Sequence, residues 1–246
     1  MSEDPALKRS LARWESKLDE APGAWKQKRR LAAAMRLVIA RLVETDAPEA
    51  ELAAAADALE RYAERLATHP RPNRYEGWSE TSPAGDTGGF FDHSPLIGLS
   101  NPLSPPVELR AQDDRKSVLG RVVFGSAYEG PPGCVHGGYI AAAFDEVLGF
   151  ANALSGTPGM TGTLTVRYRR PTPLHTELRF VAHFDRAEGR KIYTSGKLFA
   201  GDSLCAEAEG LFIAVGTERF RTLFEERQRR ERDDRGVDRN AQDGDA

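Results

Sequence analysis

PPGCVHGGYIAAAFDEVLG, residues 131–149, is the stretch on which the fold turns. Pro131, Pro132 and Gly133 force a turn, and a helix opens at His136. Ile140, Ala141, Ala142 and Ala143 give that helix a slim waist, which a curved sheet can wrap closely. Gly137 and Gly138 fall in its first turn, where backbone N–H groups have no intrahelical partner. With no Cβ in the way, a carbonyl oxygen can reach those donors, and the positive end of the helix dipole favours the negative charge of acyl transfer. The same glycines also suit a tight turn into the helix with no chemistry attached.

Further along, Asp145 shares a face with Ala141, Ala142 and Gly149, because residues three and four apart lie on one side of a helix. A carboxylate among small apolar groups is stripped of water, which makes it a better general base or nucleophile. The plainer alternative is that Asp145 or its neighbour Glu146 solvates an exposed side. Gly137 and Asp145 are eight residues apart, hence about 12 Å along the axis at roughly 1.5 Å per residue. One reacting carbon cannot sit near both. If both act on one substrate, they come from two copies of the helix related by a two-fold axis, and catalysis requires assembly.

On either side of this helix the texture is strand-like. VELRAQ and SVLGRVVFG precede it; GTLTVRYRRP, ELRFVAHFDRA, KIYTSGKLFA and SLCAEAEGLFIAV follow, with EGRK and AGDS as hairpin turns. Two strands, one long helix and about four strands predict an α+β fold, an antiparallel sheet holding one central helix. Residues 25–68 predict a helical hairpin, with Leu31, Met35, Val38, Ile39 and Leu42 at helical spacing in its first arm and ELAAAADALERYAERLA as its second. Its basic run Lys26, Lys28, Arg29 and Arg30 is answered by Glu49, Glu51, Glu60 and Glu64, so it reads as a solvated pair. The chain therefore divides into an N-terminal helical extension (1–68), an irregular connector (69–106), the sheet-and-helix domain (107–216) and a charged tail (217–246) that reads as a short helix fraying into disorder. Phe90, Phe91, Leu96 and Ile97 make a freely swinging connector costly; they pack on the sheet or line a pocket.

Bulk composition excludes several classes. With 246 residues, 40% hydrophobic, 29% charged and a net charge of -3, the chain has no general attraction for nucleic acid. It offers no apolar run of the roughly 20 residues that span a bilayer, and its N-terminus has no signal core, so a cytoplasmic location is expected. Cys134 and Cys205 are too isolated for a redox pair, and His93, His175 and His183 lack ligand-spaced partners, so no metal is expected. Gly201 to Leu204 spell GDSL, but Ser203 falls in a hairpin turn instead of at a strand-to-helix elbow.

Residues 107–215 resemble the hotdog-fold thioesterases of the PaaI-like clade, within the 4-hydroxybenzoyl-CoA thioesterase superfamily, and are close to the mammalian long-chain acyl-CoA thioesterases. GCVHGGYIAAAFDEVLG, TGTLTVRYRRPTPL and EGRKIYTSGKLFAGDSLCAEAEGLFIAV carry the likeness. The resemblance implies hydrolysis of acyl-CoA without a cofactor, by a homodimer or a dimer of dimers. It implies that Asp145 activates water, that Gly137 or Gly138 supplies the oxyanion N–H, that His136 shapes the start of the site and that Thr161 helps hold the water. Arginine suits the phosphates of CoA by its fork of donors; Arg167 and Arg169 share a sheet face near Arg170, and with Arg190 they match CoA-contacting positions in that family. Two other functions compete: a binding module that holds acyl-CoA or a protein without turnover, and an enoyl-CoA hydratase, whose GDxNPxH-type segment does not occur here.

Overall fold

The computed structural model of the chain describes residues 23–69, 92–157 and 159–215, together with Thr222, Glu226 and Arg229 of the tail. Alternation of apolar and polar residues from position 107 onward dictates strands with one wet and one dry face. The strands are β1 (Glu108–Ala111), β2 (Ser117–Val123), β3 (Gly159–Tyr168), β4 (Glu177–Glu188), β5 (Lys191–Ala200) and β6 (Ser203–Ala214). They form one six-stranded sheet in the order β1-β2-β4-β5-β6-β3, every pair antiparallel. Tight turns join β4 to β5 and β5 to β6, and their Gly189 and Gly201 take φ of +59° and +56°, a region open to glycine at little cost.

Between β2 and β3 runs the central helix, Gly137–Ala153. It buries Ile140, Ala143, Phe144, Val147, Leu148 and Ala151, an i, i+3, i+4 stripe that meets Leu178, Phe180 and Ala182 of β4 and Ile192 and Leu198 of β5. The rings of Phe144 and Phe180 meet edge to face at 5.1 Å. Losing a ring so enclosed costs roughly 3 to 5 kcal/mol, so this contact ties helix and sheet into one unit. The architecture is the α+β hotdog arrangement that the sequence predicts. β3 lies at the far edge of the sheet from β1, and most of its residues are exposed.

Before the sheet come two further helices. Numbered in chain order, α1 is Gly23–Leu42 and α2 is Glu49–Ala67, which makes the central helix α3. Their existence follows the predicted spacing, but the packed hairpin does not form: α2 has no buried residue and lies along no other described element. α1 instead packs against a strap, residues 92–107. Arg29 Nε lies 3.1 and 3.0 Å from the two carboxylate oxygens of Asp92, and Arg36 Nη1 donates to the carbonyls of Leu99 and Asn101 at 3.2 and 2.9 Å. Asp92 is 4% exposed and also accepts from Ser100 Oγ at 2.6 Å, so its charge is compensated inside the strap. Ile97 and Leu96 of the strap join the core, which fits packing on the domain; Phe90, Phe91, residues 1–22 and most of the tail lie outside the described residues. Among the described residues, no helix is long and apolar enough to cross a membrane.

Candidate active site

At the start of α3, His136 is the N-cap, with extended backbone at φ -60° and ψ 131°. Its Nδ1 accepts the Gly138 N–H at 3.0 Å, so the ring is held with Nδ1 unprotonated and any proton of the neutral form on Nε2. The N–H groups of Tyr139 and Ile140 go to the His136 carbonyl, at 3.0 and 3.3 Å. Of the early donors this leaves Gly137 N–H, which has no partner among the described residues. The two glycines the sequence singled out are therefore unequal: Gly138 serves the cap, and Gly137 is the open donor.

A residue not singled out in the sequence holds this turn in place. Tyr168, at the end of β3, donates its hydroxyl to the Gly137 carbonyl at 2.7 Å. A Cβ on Gly137 would lie 3.3 Å from Cζ and the hydroxyl of that ring, so any larger residue there would push the ring back by a few tenths of an ångström. Tyr168 stands inside the quoted strand VRYRRP, but nothing about period-2 spacing marks one strand tyrosine as a clamp on a helix end.

Asp145 is half-buried, and Thr161 Oγ1 donates to its Oδ1 at 2.8 Å. These two residues, sixteen apart in the chain, are brought together because β3 has a bulge between Thr161 and Thr163, with Thr161 opposite the buried Phe212 of β6. One carboxylate oxygen is thus engaged by a hydroxyl on the open edge strand. Gly137 N–H stays about 12 Å away up the same helix, at roughly 1.5 Å per residue. Within one copy, donor and carboxylate do not converge.

The next residue behaves differently. Glu146 is half-buried as a residue, but its carboxyl turns under the strap, where Ser94, a residue 2% exposed, donates its hydroxyl to it at 2.9 Å. This carboxyl is raised from 4.5 to about 7: burial is the main cause and the charge of Asp145 adds to it, while the Ser94 hydrogen bond opposes both. The water-poor setting that the sequence assigned to Asp145 is thus more fully developed around Glu146. The cause is the strap, a contact across 52 residues that helix periodicity cannot anticipate.

The arginines are distributed otherwise than one cluster. Tyr168 faces the helix, so its strand neighbour Arg167 points to the outer face of the sheet. There Arg167 pairs with Glu209 at 2.7 Å and Arg169 pairs with Glu207. Arg190 lies in the β4–β5 turn, where its carbonyl accepts the Ala214 N–H, whereas Arg167 stands opposite Glu207. Those two β6 positions are about 23 Å apart at roughly 3.3 Å per residue, so one copy does not gather Arg190 with Arg167 and Arg169. Cys205 is buried and Cys134 half-buried, both as free thiols, and no group of His, Cys, Asp and Glu among the described residues could hold a metal ion.

The family described as the thioesterase superfamily matches residues 132–207, from the turn before α3 into β6. A crystal structure of a thioesterase superfamily protein superposes with a TM-score of 0.67 at 38% identity, covering 76% of this chain and 94% of that one. The chain belongs to the thioesterase superfamily. Its relatives in that superfamily include acyl-coenzyme A thioesterase THEM4 of Bos taurus, 33% identical over 112 residues that make up 45% of this chain and 46% of the relative. The same enzyme of Xenopus laevis is 38% identical over 93 residues, 37% of this chain and 42% of the relative. The match thus spans less than half the length of these curated relatives. The superfamily match covers α3, β3, β4 and β5, the elements that carry His136, Gly137, Asp145, Thr161 and Tyr168.

Proposed function

We infer that this chain hydrolyses acyl-CoA thioesters to free acid and CoA. One observation carries the reading: a half-buried carboxylate, Asp145, is held by the Thr161 hydroxyl at 2.8 Å beside an open sheet edge, on a helix whose Gly137 N–H is unengaged. In this mechanism Asp145 takes a proton from water as its oxygen attacks the thioester carbonyl. The oxyanion is held by the Gly137 N–H, with His136 fixing the turn that presents it. The intermediate then collapses, the C–S bond breaks, and the proton on Asp145 goes to the departing thiolate, which restores the carboxylate. Thr161 orients both the carboxylate and the attacking water.

The separation of about 12 Å, at roughly 1.5 Å per residue, requires Gly137 and Asp145 to come from different copies. The working form is therefore a homodimer or a dimer of dimers, with the site between copies. Arg167, Arg169 and Arg190 are the candidate contacts for the CoA phosphates, and Arg167 and Arg169 would exchange Glu209 and Glu207 for phosphate on binding. Residues 107–216 form the hydrolytic domain, with 1–68 as an extension, 69–106 as connector and 217–246 as a tail. The enzyme works in the cytoplasm on fatty acyl chains. The test is thiol release from acyl-CoAs of graded length by wild type and Asp145→Asn. Turnover by wild type and its near loss in the variant supports the reading; equal rates remove Asp145, and no release at any length removes hydrolysis.

A further inference from the structure

α1 and α2 each leave an apolar stripe in water. On α1 the packed face is Trp25, Arg29, Ala32, Arg36 and Ile39, turned to the strap; Met35, Val38 and Leu42 lie on another side and are 38%, 46% and 59% exposed. On α2, Leu52, Leu59 and Leu66 recur every seven residues and are 40%, 49% and 47% exposed. Ala55 and Tyr62 fall between them, which completes the alternating three-and-four spacing of a helix–helix seam. Leucines this regularly placed are a packing surface, not the scattered apolar exposure of any protein surface. In proteins most helical stability comes from packing of an amphipathic face, so α2 gains from a partner.

Charge says what the partner is. α1 carries six basic side chains and no acidic one, whereas α2 carries five acidic and two basic. The two helices therefore differ in sign: α1 keeps Lys26, Lys28, Arg30 and Arg41 beside the Arg29 and Arg36 turned to the strap, and α2 is acidic overall. The helices have 20 and 19 residues, so they match over nearly their full length of about 30 Å at roughly 1.5 Å per residue. In one chain they do not lie together: residues 43–48 lead to Pro48, an extended N-cap at ψ 148°, and α2 leaves α1 uncovered. An acidic polar face also makes α2 a poor ligand for an anionic lipid surface.

We propose that α2 of one copy docks on the open stripe of α1 in a second copy, and reciprocally, so that a two-fold axis relates two equivalent helix pairs. The contact is isologous: each chain gives one basic and one acidic helix and receives their complements. It adds an interface outside the sheet-and-helix domain and does not depend on the hydrolytic reading.

The experiment is sedimentation equilibrium on the full chain and on two variants, Leu59→Asp in α2 and Val38→Asp in α1. Both sites are exposed, so circular dichroism should show the fold intact. Each variant alone should need at least ten-fold higher concentration to reach the association of wild type. An equimolar mixture of the two should recover part of the loss, since it restores one undamaged α1–α2 contact per pair. Superimposable curves for wild type and both variants overturn the proposal, as does a loss confined to Leu59→Asp, which would mean that α2 pairs with itself. A mass unchanged in both variants while binding to neutral lipid vesicles is lost overturns it too. Thiol release in the same samples reports on hydrolysis separately.

Discussion

The two sides of α3 differ more than the one-residue step between Asp145 and Glu146 suggests. Toward the edge strand β3, Asp145 stays half-open and meets one hydroxyl; toward the strap, Glu146 loses its water and meets another at nearly the same length, 2.8 against 2.9 Å. Both carboxyls thus accept one side-chain hydroxyl, and what separates them is the cover beyond it. In the proposed mechanism the reacting group has to be reachable by substrate as well as poised, and among the described residues the β3 side offers that.

Four measurements break or sharpen this contrast. The largest effect belongs to Asp145→Asn: thiol release from acyl-CoA should fall about 10²- to 10⁴-fold, the usual weight of a general base, with the unfolding curve little changed. A comparable fall in Glu146→Gln would mean that the two sides have been assigned the wrong way round.

Next comes the pH dependence of stability. Glu146 ionises near 4.5 when unfolded and at about 7 when folded, so between those values the folded chain holds a proton that the unfolded chain has released. Stability from this group is therefore full below pH 4.5, is lost as pH rises toward 7, and stays lost above it. The loss is about 3 kcal/mol, since each tenfold difference in proton affinity between the two states is worth roughly 1.4 kcal/mol. Urea unfolding at pH 5 and pH 8 should show that slope in wild type and a much flatter one in Glu146→Gln.

Ser94→Ala should cost about 1 to 3 kcal/mol at neutral pH, because it leaves an enclosed carboxyl oxygen without its donor. It should also move the pH midpoint of that loss upward, since the Ser94 hydrogen bond is what lowers Glu146. The smallest change is Thr161→Val, for which steady-state kinetics should give about a ten-fold fall in kcat, near 1.4 kcal/mol, with KM little moved. A KM effect alone would make Thr161 a substrate contact and not a partner of Asp145.

Much of this molecule is legible in its sequence, for reasons that stop at definite residues. The helix over residues 137–153 and the strands around it follow from local periodicity and from turn glycines at 189 and 201, so they can be read without tertiary knowledge. Asp145 and Gly137 can be named because helix spacing fixes their separation. The roles of Ser94 and Tyr168 cannot, since each rests on one contact between segments 52 and 31 residues apart. The open hairpin escapes for the opposite reason: the spacing of α1 and α2 demands apolar contact but does not say which chain supplies it. Arg167 and Arg169 read as neighbours on one face, but the sequence does not reveal that the clamp at Tyr168 turns that face outward.

The bulge in β3 has an arithmetic consequence. Thr161 and Tyr168 both aim at α3, one at Asp145 and the other at the Gly137 carbonyl, but they are separated by an odd number of positions, and a regular ribbon sends odd-separated side chains to opposite faces. The extra residue at Gly162 resets the parity of the strand midway, so that a single edge can attend to both halves of the helix. Without that insertion this strand would lose either the Thr161 hydroxyl on Asp145 or the Tyr168 phenol on the helix start. Strict alternation counted back from Tyr168 would instead put Gly162 toward the helix and turn Thr161 away from it.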